Sequence, residues 1–172
     1  MKRSTILLAV TALVFTLIGI YLGTRHAAPT VPPSPAVTNF FSQTLTDAKG
    51  KPQTLSQWRG KKLIVNFWAP WCKPCIEEMP ELSALQTELA ANNIQVLGIG
   101  IDSADNIAEF ASKMVITYPI FVAGMSGTEL ASTMGNQIGG LPFTVLIGED
   151  GQIKKTYSGR LRFAALRKDL AF

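Results

Sequence analysis

An apolar run, Leu63 to Trp68, leads through Ala69-Pro70-Trp71 into Cys72-Lys73-Pro74-Cys75 and on into a segment of helical period. No other stretch restricts the fold as much. Leu63-Ile64-Val65 and Phe67-Trp68 lack polar alternation, so the strand they form must be covered on both faces, as in the centre of an α/β layer structure. The following segment puts Cys75, Glu78, Leu82, Leu85 and Leu89 at i, i+3, i+7, i+10 and i+14, one stripe directed at the core, with Glu77, Glu81 and Glu88 opposite. Pro80 lies within that segment; a kink there would instead leave Glu78 at the stripe's edge, reaching water.

The rest of the chain supplies layers for this centre. Phe40 to Leu45 and Lys51 to Thr54, joined by Asp47-Ala48-Lys49-Gly50, read as a hairpin, and Leu55 to Gly60 as a short helical turn closed by glycine. After the long helix, Lys73 to Asn92, come a buried strand (Ile94 to Ile101), a helix (Ala104 to Met114), a short strand (Pro119 to Val122) and a short helix (Thr128 to Met134). Phe143 to Ile147 and Gln152 to Tyr157 form a second hairpin around Glu149-Asp150-Gly151, and Leu161 to Ala171 closes as a helix. Strands alternating with helices imply an α/β sandwich whose parallel part is extended by antiparallel strands.

The two cysteines carry the chemistry. A disulfide closing so short a loop adds only about 2 kcal/mol in the chain-entropy treatment, so stability is a poor reason for it. A zinc site needs four ligands, and the chain has two cysteines and one histidine, His26, far from them in sequence. A reversible dithiol remains. Cys72 at the first turn of a helix meets the positive end of the helix dipole and unsatisfied N–H groups, which favour thiolate; Lys73 adds positive charge. Cys75, one turn in, suits the resolving role, and Pro74 is tolerated in the first turn and stiffens it. Glu78, one turn from Cys75 on the apolar stripe, is a candidate proton partner because desolvation raises a carboxyl pKa. Trp71, beside the nucleophile, is expected at the substrate surface, whereas Trp68 serves equally well as a core aromatic. Pro142, in Gly139-Gly140-Leu141-Pro142-Phe143-Thr144, is by itself an ordinary strand-entry residue.

The start of the chain reads differently. Met1-Lys2-Arg3 precedes an uncharged run from Ser4 to Thr24, about 31 Å long as a helix and thus matched to a bilayer core of roughly 30 Å. A cleaved signal fits less well, because Arg25 or His26 would lie three residues before the cut at Ala27 or Ala28. Lys2 and Arg3 before the span place the rest of the chain outside the cytoplasm. Residues 1–24 are therefore expected to be an uncleaved membrane anchor. Residues 25–38, with Pro29, Pro32, Pro33 and Pro35, are expected to be an extended tether of roughly 40 Å, and 39–172 the folded domain. Lys2, Arg3 and Arg25 account for most of the net charge of +4. The domain is close to neutral, which excludes a case for nucleic-acid binding.

The Trp-Ala-Pro-Trp-Cys-Lys-Pro-Cys run, Glu78, Pro80 and Pro142 together resemble the membrane-anchored thiol-disulfide oxidoreductases of the TlpA/ResA family, over roughly Phe40 to Phe172. That resemblance implies a thioredoxin-like α/β fold, a three-layer sandwich with a central mixed sheet flanked by helices, an N-terminal β-hairpin extension and one preceding transmembrane helix. It implies that Pro142 is a cis-proline facing the dithiol, with the backbone of Leu141 free to pair with an extended substrate. Many thioredoxins carry a buried aspartate on the strand before the motif. Here the matching position is Asn66, which moves any proton exchange to Glu78. The implied activity is reduction of protein disulfides, in apocytochrome c or copper-site proteins, outside the cytoplasm of a bacterium and at its inner membrane. A transmembrane thiol carrier would supply the electrons. The dithiol Cys72–Cys75 is itself the redox group, and neither a cofactor nor a metal is expected. The rival readings are a thiol peroxidase of peroxiredoxin type, whose Pro-x-x-x-Thr-x-x-Cys pattern is missing before Cys72, and a non-enzymatic metal-delivery protein of thioredoxin fold, which would need a histidine in the domain.

Overall fold

The computed structural model describes residues 11–16 and 32–170. Residues 11–16 are helical. Most of the expected span, and residues 17–31 of the span and tether, lie outside the described residues; no helix among those described is long and apolar enough to cross a membrane. The compact unit that begins at Pro32 holds all of the chemistry argued above.

Among the described residues, seven strands form one sheet: β1 (Thr44–Asp47), β2 (Pro52–Thr54), β3 (Lys62–Trp68), β4 (Ile94–Gly100), β5 (Ile120–Val122), β6 (Phe143–Ile147) and β7 (Ile153–Ser158), in the order β2-β1-β5-β4-β3-β6-β7. β3, β4 and β5 are parallel, while β6, β7 and the β1–β2 hairpin are antiparallel to their neighbours. The mixed sheet expected from the order of elements is therefore present. Five helices cover it: α1 (Pro35–Ser42), α2 (Lys73–Leu89), α3 (Ala104–Lys113), α4 (Ser126–Thr133) and α5 (Phe163–Asp169).

Alternation along β3 divides the core in two. Leu63, Val65 and Phe67 pack with Val37, Phe40 and Phe41 of α1 and with Leu130 and Ala131 of α4. Ile64 and Trp68 pack on the other face with Cys75, Met79, Leu82 and Leu85 of α2, Ile107 of α3 and Leu166 of α5. The layers are helix, sheet, helix. Gly100, at the end of β4, keeps α3 close: a Cβ there would lie 2.4 Å from Ile107 Cδ1.

One expected boundary differs. Residues 35–38, assigned to the tether, and Phe40 to Ser42, assigned to the first hairpin strand, together form α1. Ser34 caps the helix, its Oγ accepting the Val37 N–H at 3.2 Å, and Pro35 stands in the first turn, where its missing N–H costs nothing. Val37, Phe40 and Phe41 then fall on one helical face and are buried. The hairpin survives as β1–β2. Ahead of α1, the chain meets the β6–β7 turn, where Ser34 N–H donates to the Gly151 carbonyl at 3.1 Å and Gln152 Nε2 to the Pro32 carbonyl at 2.6 Å. That turn is at the end of the sheet remote from the cysteines, since Ile147 pairs with Leu63 while Phe143 pairs with Phe67.

Because α1 belongs to the core, Phe40→Ala is expected to destabilise the domain by about 3–5 kcal/mol, read as a lower urea midpoint at unchanged slope. A tether residue would leave the midpoint where it was.

Candidate active site

The end of β3 sets the position of the cysteines. After Trp68 the chain turns, with the Cys72 N–H donating to the Ala69 carbonyl at 3.1 Å, and Cys72 becomes the N-cap of α2. Lys73 and Pro74 occupy the exposed first turn, and the Ile76 N–H closes it onto the Cys72 carbonyl at 3.1 Å. Cys72 and Cys75 are joined as a disulfide, with sulfurs 2.02 Å apart. Cys72 retains 5% exposure and Cys75 none, so only the first sulfur has any opening to a partner. Dipole and orphan N–H groups at this helix start stabilise negative charge on Cys72 Sγ once the disulfide is reduced.

Glu78 lies beneath the pair. α2 runs unbroken through Pro80, so the stripe keeps its phase: Cys75, Glu78, Leu82 and Leu85 are buried, and Leu89 is half-buried. Glu78 is 1% exposed, which removes the alternative in which it reaches water. Its Oε1 accepts from Asn66 Nδ2 at 2.8 Å and its Oε2 from the Leu161 N–H at 2.9 Å. Burial raises the carboxyl above its ordinary pKa, opposed by those two hydrogen bonds and by the charge of Arg160. Asn66 Nδ2 also donates to Thr144 Oγ1 at 3.0 Å, which ties β3 to β6 at the level of the site. Tyr118 is raised too, first by burial and then by the negative charge of Glu78, and stays neutral.

Just before β6, whose Phe143 pairs with Phe67 near the end of β3 that leads to the cysteines, the Leu141–Pro142 peptide bond is cis, and Leu141 packs against the apolar cluster that holds Cys72 and Cys75. The Pro142 carbonyl accepts from the Gly159 N–H at 2.8 Å, and the Asn136 side chain holds the Gly140 carbonyl at 2.9 Å. Leu141 itself makes no backbone hydrogen bond among the described residues. Its half-buried side chain and the 70%-exposed Trp71 border a groove of about 480 Å³ floored by Ile101. Trp68, by contrast, is fully buried against Phe110, with ring centroids 5.0 Å apart, and is a core aromatic.

The structure thus brings together Cys72, Cys75, Glu78, Trp71, Leu141 and Pro142. It adds Asn66 and Thr144 as the polar floor, and Leu161 as a donor to Glu78. Thr144 could have been reached from sequence as a hydroxyl two residues after Pro142. The Leu161 contact is made by a backbone N–H and carries no residue signature. Among the described residues no cluster of three or more His, Cys, Asp or Glu could hold a metal ion.

Comparison with known proteins agrees with this geometry. The redoxin family matches residues 29–170. Thiol-disulfide oxidoreductase ResA of Geobacillus thermodenitrificans is 30% identical over 127 residues, covering 73% of this chain and 71% of that protein. Thioredoxin-like protein YneN of Bacillus subtilis is 31% identical over 121 residues, 68% of each chain. Among solved structures, a thioredoxin-family thiol:disulfide interchange protein from Chlorobium tepidum TLS superposes with a TM-score of 0.65 at 26% identity, covering 84% of this chain and 96% of that one. With a cysteine pair at a helix start, a cis-proline and this similarity, the chain belongs to the redoxin family and is a thiol-disulfide oxidoreductase of the ResA type.

Proposed function

We propose that this oxidoreductase works as a reductant of protein disulfides outside the cytoplasm. The observation that supports dithiol exchange is the Cys72–Cys75 disulfide at the start of α2, with the buried carboxyl of Glu78 one turn further along the helix. In the reduced protein, Cys72 thiolate attacks one sulfur of a substrate disulfide. That S–S bond breaks, and the other substrate sulfur leaves as thiolate. Cys75, giving its proton to Glu78, then attacks Cys72 Sγ and expels the second substrate sulfur. Two electrons pass to the substrate, and the protein is left as the disulfide described above. Trp71 and the groove receive the polypeptide around the substrate cysteine, and the unpaired backbone of Leu141 pairs with it as an added strand.

Direction and place rest on the sequence. Lys73-Pro74 between the cysteines, rather than a histidine, is similar to the reducing members of the family. Residues 4–24 serve as the anchor in a bacterial inner membrane, residues from Arg25 to about Val31 as the link, and Pro32 onward as the catalytic domain. An oxidising compartment requires an electron source, which we assign to a transmembrane thiol carrier. The substrate class is oxidised protein cysteines, apocytochrome c or copper-site proteins among them.

Thiol trapping in intact cells tests the direction: a reductase keeps Cys72 and Cys75 mostly as dithiol, and a steady disulfide form would mark an oxidase. For the roles, Cys75→Ser is expected to accumulate mixed disulfides with substrate proteins on non-reducing gels while Cys72→Ser does not; equal trapping by both overturns the assignment. For Glu78, the sign follows from its raised pKa. Between the unfolded value near 4.5 and the folded one, the unfolded chain binds fewer protons, so stability falls as pH rises through that window. Glu78→Gln removes this fall, so the variant's stability relative to the parent should increase from pH 4 to pH 8 in urea titrations. The same variant should lose the corresponding inflection in the rate of Cys72 alkylation.

A further inference from the structure

Three consecutive residues between β7 and α5 each hold a different part of the site. The Gly159 N–H donates to the carbonyl of cis-Pro142 at 2.8 Å. Arg160 Nη1 donates to Glu77 Oε2 at 3.0 Å, on the outer face of α2. The Leu161 N–H donates to Glu78 Oε2 at 2.9 Å, on its inner face. Gly159 has φ of +80°, the left-handed conformation that turns the backbone between the first contact and the other two. Leu161 is 5% exposed and packs in the same apolar cluster as Cys72 and Cys75. The segment therefore grips the first turns of α2 from both sides while it ties them to the proline loop.

The Arg160–Glu77 pair is the exposed member of this set, with side chains 58% and 41% exposed. An exposed pair contributes little to overall stability because water and salt screen it. Its position gives it another use. Glu77 and Glu78 are neighbours on α2, as Arg160 and Leu161 are on the loop, so the outer ion pair fixes the register in which the inner N–H reaches the carboxylate. The other groups facing Glu78 cannot substitute for that hold: Asn66 occupies Oε1 and donates onward to Thr144, Tyr118 is buried and neutral, and Cys75 lies in the disulfide.

We propose that Arg160 is a positioning residue for the dithiol's proton partner: paired with Glu77, it straps Gly159–Leu161 across α2 so that the Leu161 N–H caps Glu78 while the Gly159 N–H fixes Pro142. The functional part rests on the reading of Glu78 as that partner. Loss of the strap removes a donor that favours the carboxylate, so Glu78 becomes a weaker acid.

The test is a 13C-carboxyl NMR titration of Glu78 in the oxidised domain, in which the cysteines do not titrate, for Arg160→Gln, Glu77→Gln and the double exchange Arg160→Glu with Glu77→Arg. Both single variants are expected to raise the Glu78 midpoint, by roughly half a pH unit or more, with the double exchange returning it towards the parent. Hydrogen exchange at the Leu161 amide should quicken about tenfold in both single variants. The comparison separates position from charge, because removing a cation and removing an anion would otherwise move the midpoint in opposite directions. A rise for Arg160→Gln with a fall for Glu77→Gln, a fall for both, or no movement overturns the strap. Raised midpoints with an unmoved pH profile of Cys72 alkylation in the reduced variants would support the strap and overturn the role given to Glu78.

Discussion

A carboxyl group with 1% exposure under a redox disulfide is the constraint that organises this domain. Burying an ionisable group is costly unless hydrogen bonds replace its water, and Glu78 obtains one for each oxygen from elements that arrive from opposite directions. Asn66 comes from β3, the central strand, and is pinned by Thr144 of β6. Leu161 comes from the β7–α5 segment, 83 residues further along the chain than Glu78. The long-range topology is thus needed to satisfy a single side chain. Desolvation still dominates, which keeps the carboxyl's proton affinity above that of a carboxyl in water and suits it to exchange with a thiol one helical turn away.

The same topology separates the chemistry from the chain's entry. β3 delivers Cys72 at its C-terminal end, where the N-terminus of α2 supplies positive dipole and free N–H groups. β6 runs the other way, so cis-Pro142 begins it beside the cysteines and the β6–β7 turn finishes it at the far end, where Pro32 and Ser34 dock. The cysteines and the contacts of Pro32 and Ser34 therefore lie at opposite ends of the sheet, with the Trp71 groove at the cysteine end.

What could be read from residues was the part governed by local rules. The apolar runs of β3 and β4, the stripe Cys75-Glu78-Leu82-Leu85 and the cysteine spacing are periodic or contiguous signals, and each stands where expected. Helix α1 was hidden because proline has two meanings: four prolines between residues 29 and 35 suggest an extended chain, yet Pro35 after Ser34 is also a capped helix start. The spacing of Val37, Phe40 and Phe41 is the signal of a helical face there, but three residues make a short stripe beside four prolines. The cap on Glu78 was beyond reach for a different reason, since a backbone N–H is common to all residues but proline and its placement depends on the whole fold.

Asn66 and Glu78 are best understood as one choice. The strand position beside the motif holds an aspartate in many thioredoxins, and here it must donate, because Glu78 Oε1 and Thr144 Oγ1 both receive a hydrogen bond from Asn66 Nδ2. An aspartate there would offer no donor when ionised and would set two carboxylates against each other in a water-poor site, forcing one to stay protonated. With asparagine the strand orients a single carboxyl and leaves only one proton to be exchanged. In the function proposed above, the acid is carried by the helix that holds the cysteines and not by the strand. Its distance from Cys75 is then set by one turn of α2 rather than by the packing of helix on sheet, and the strand's remaining task is to hold it still.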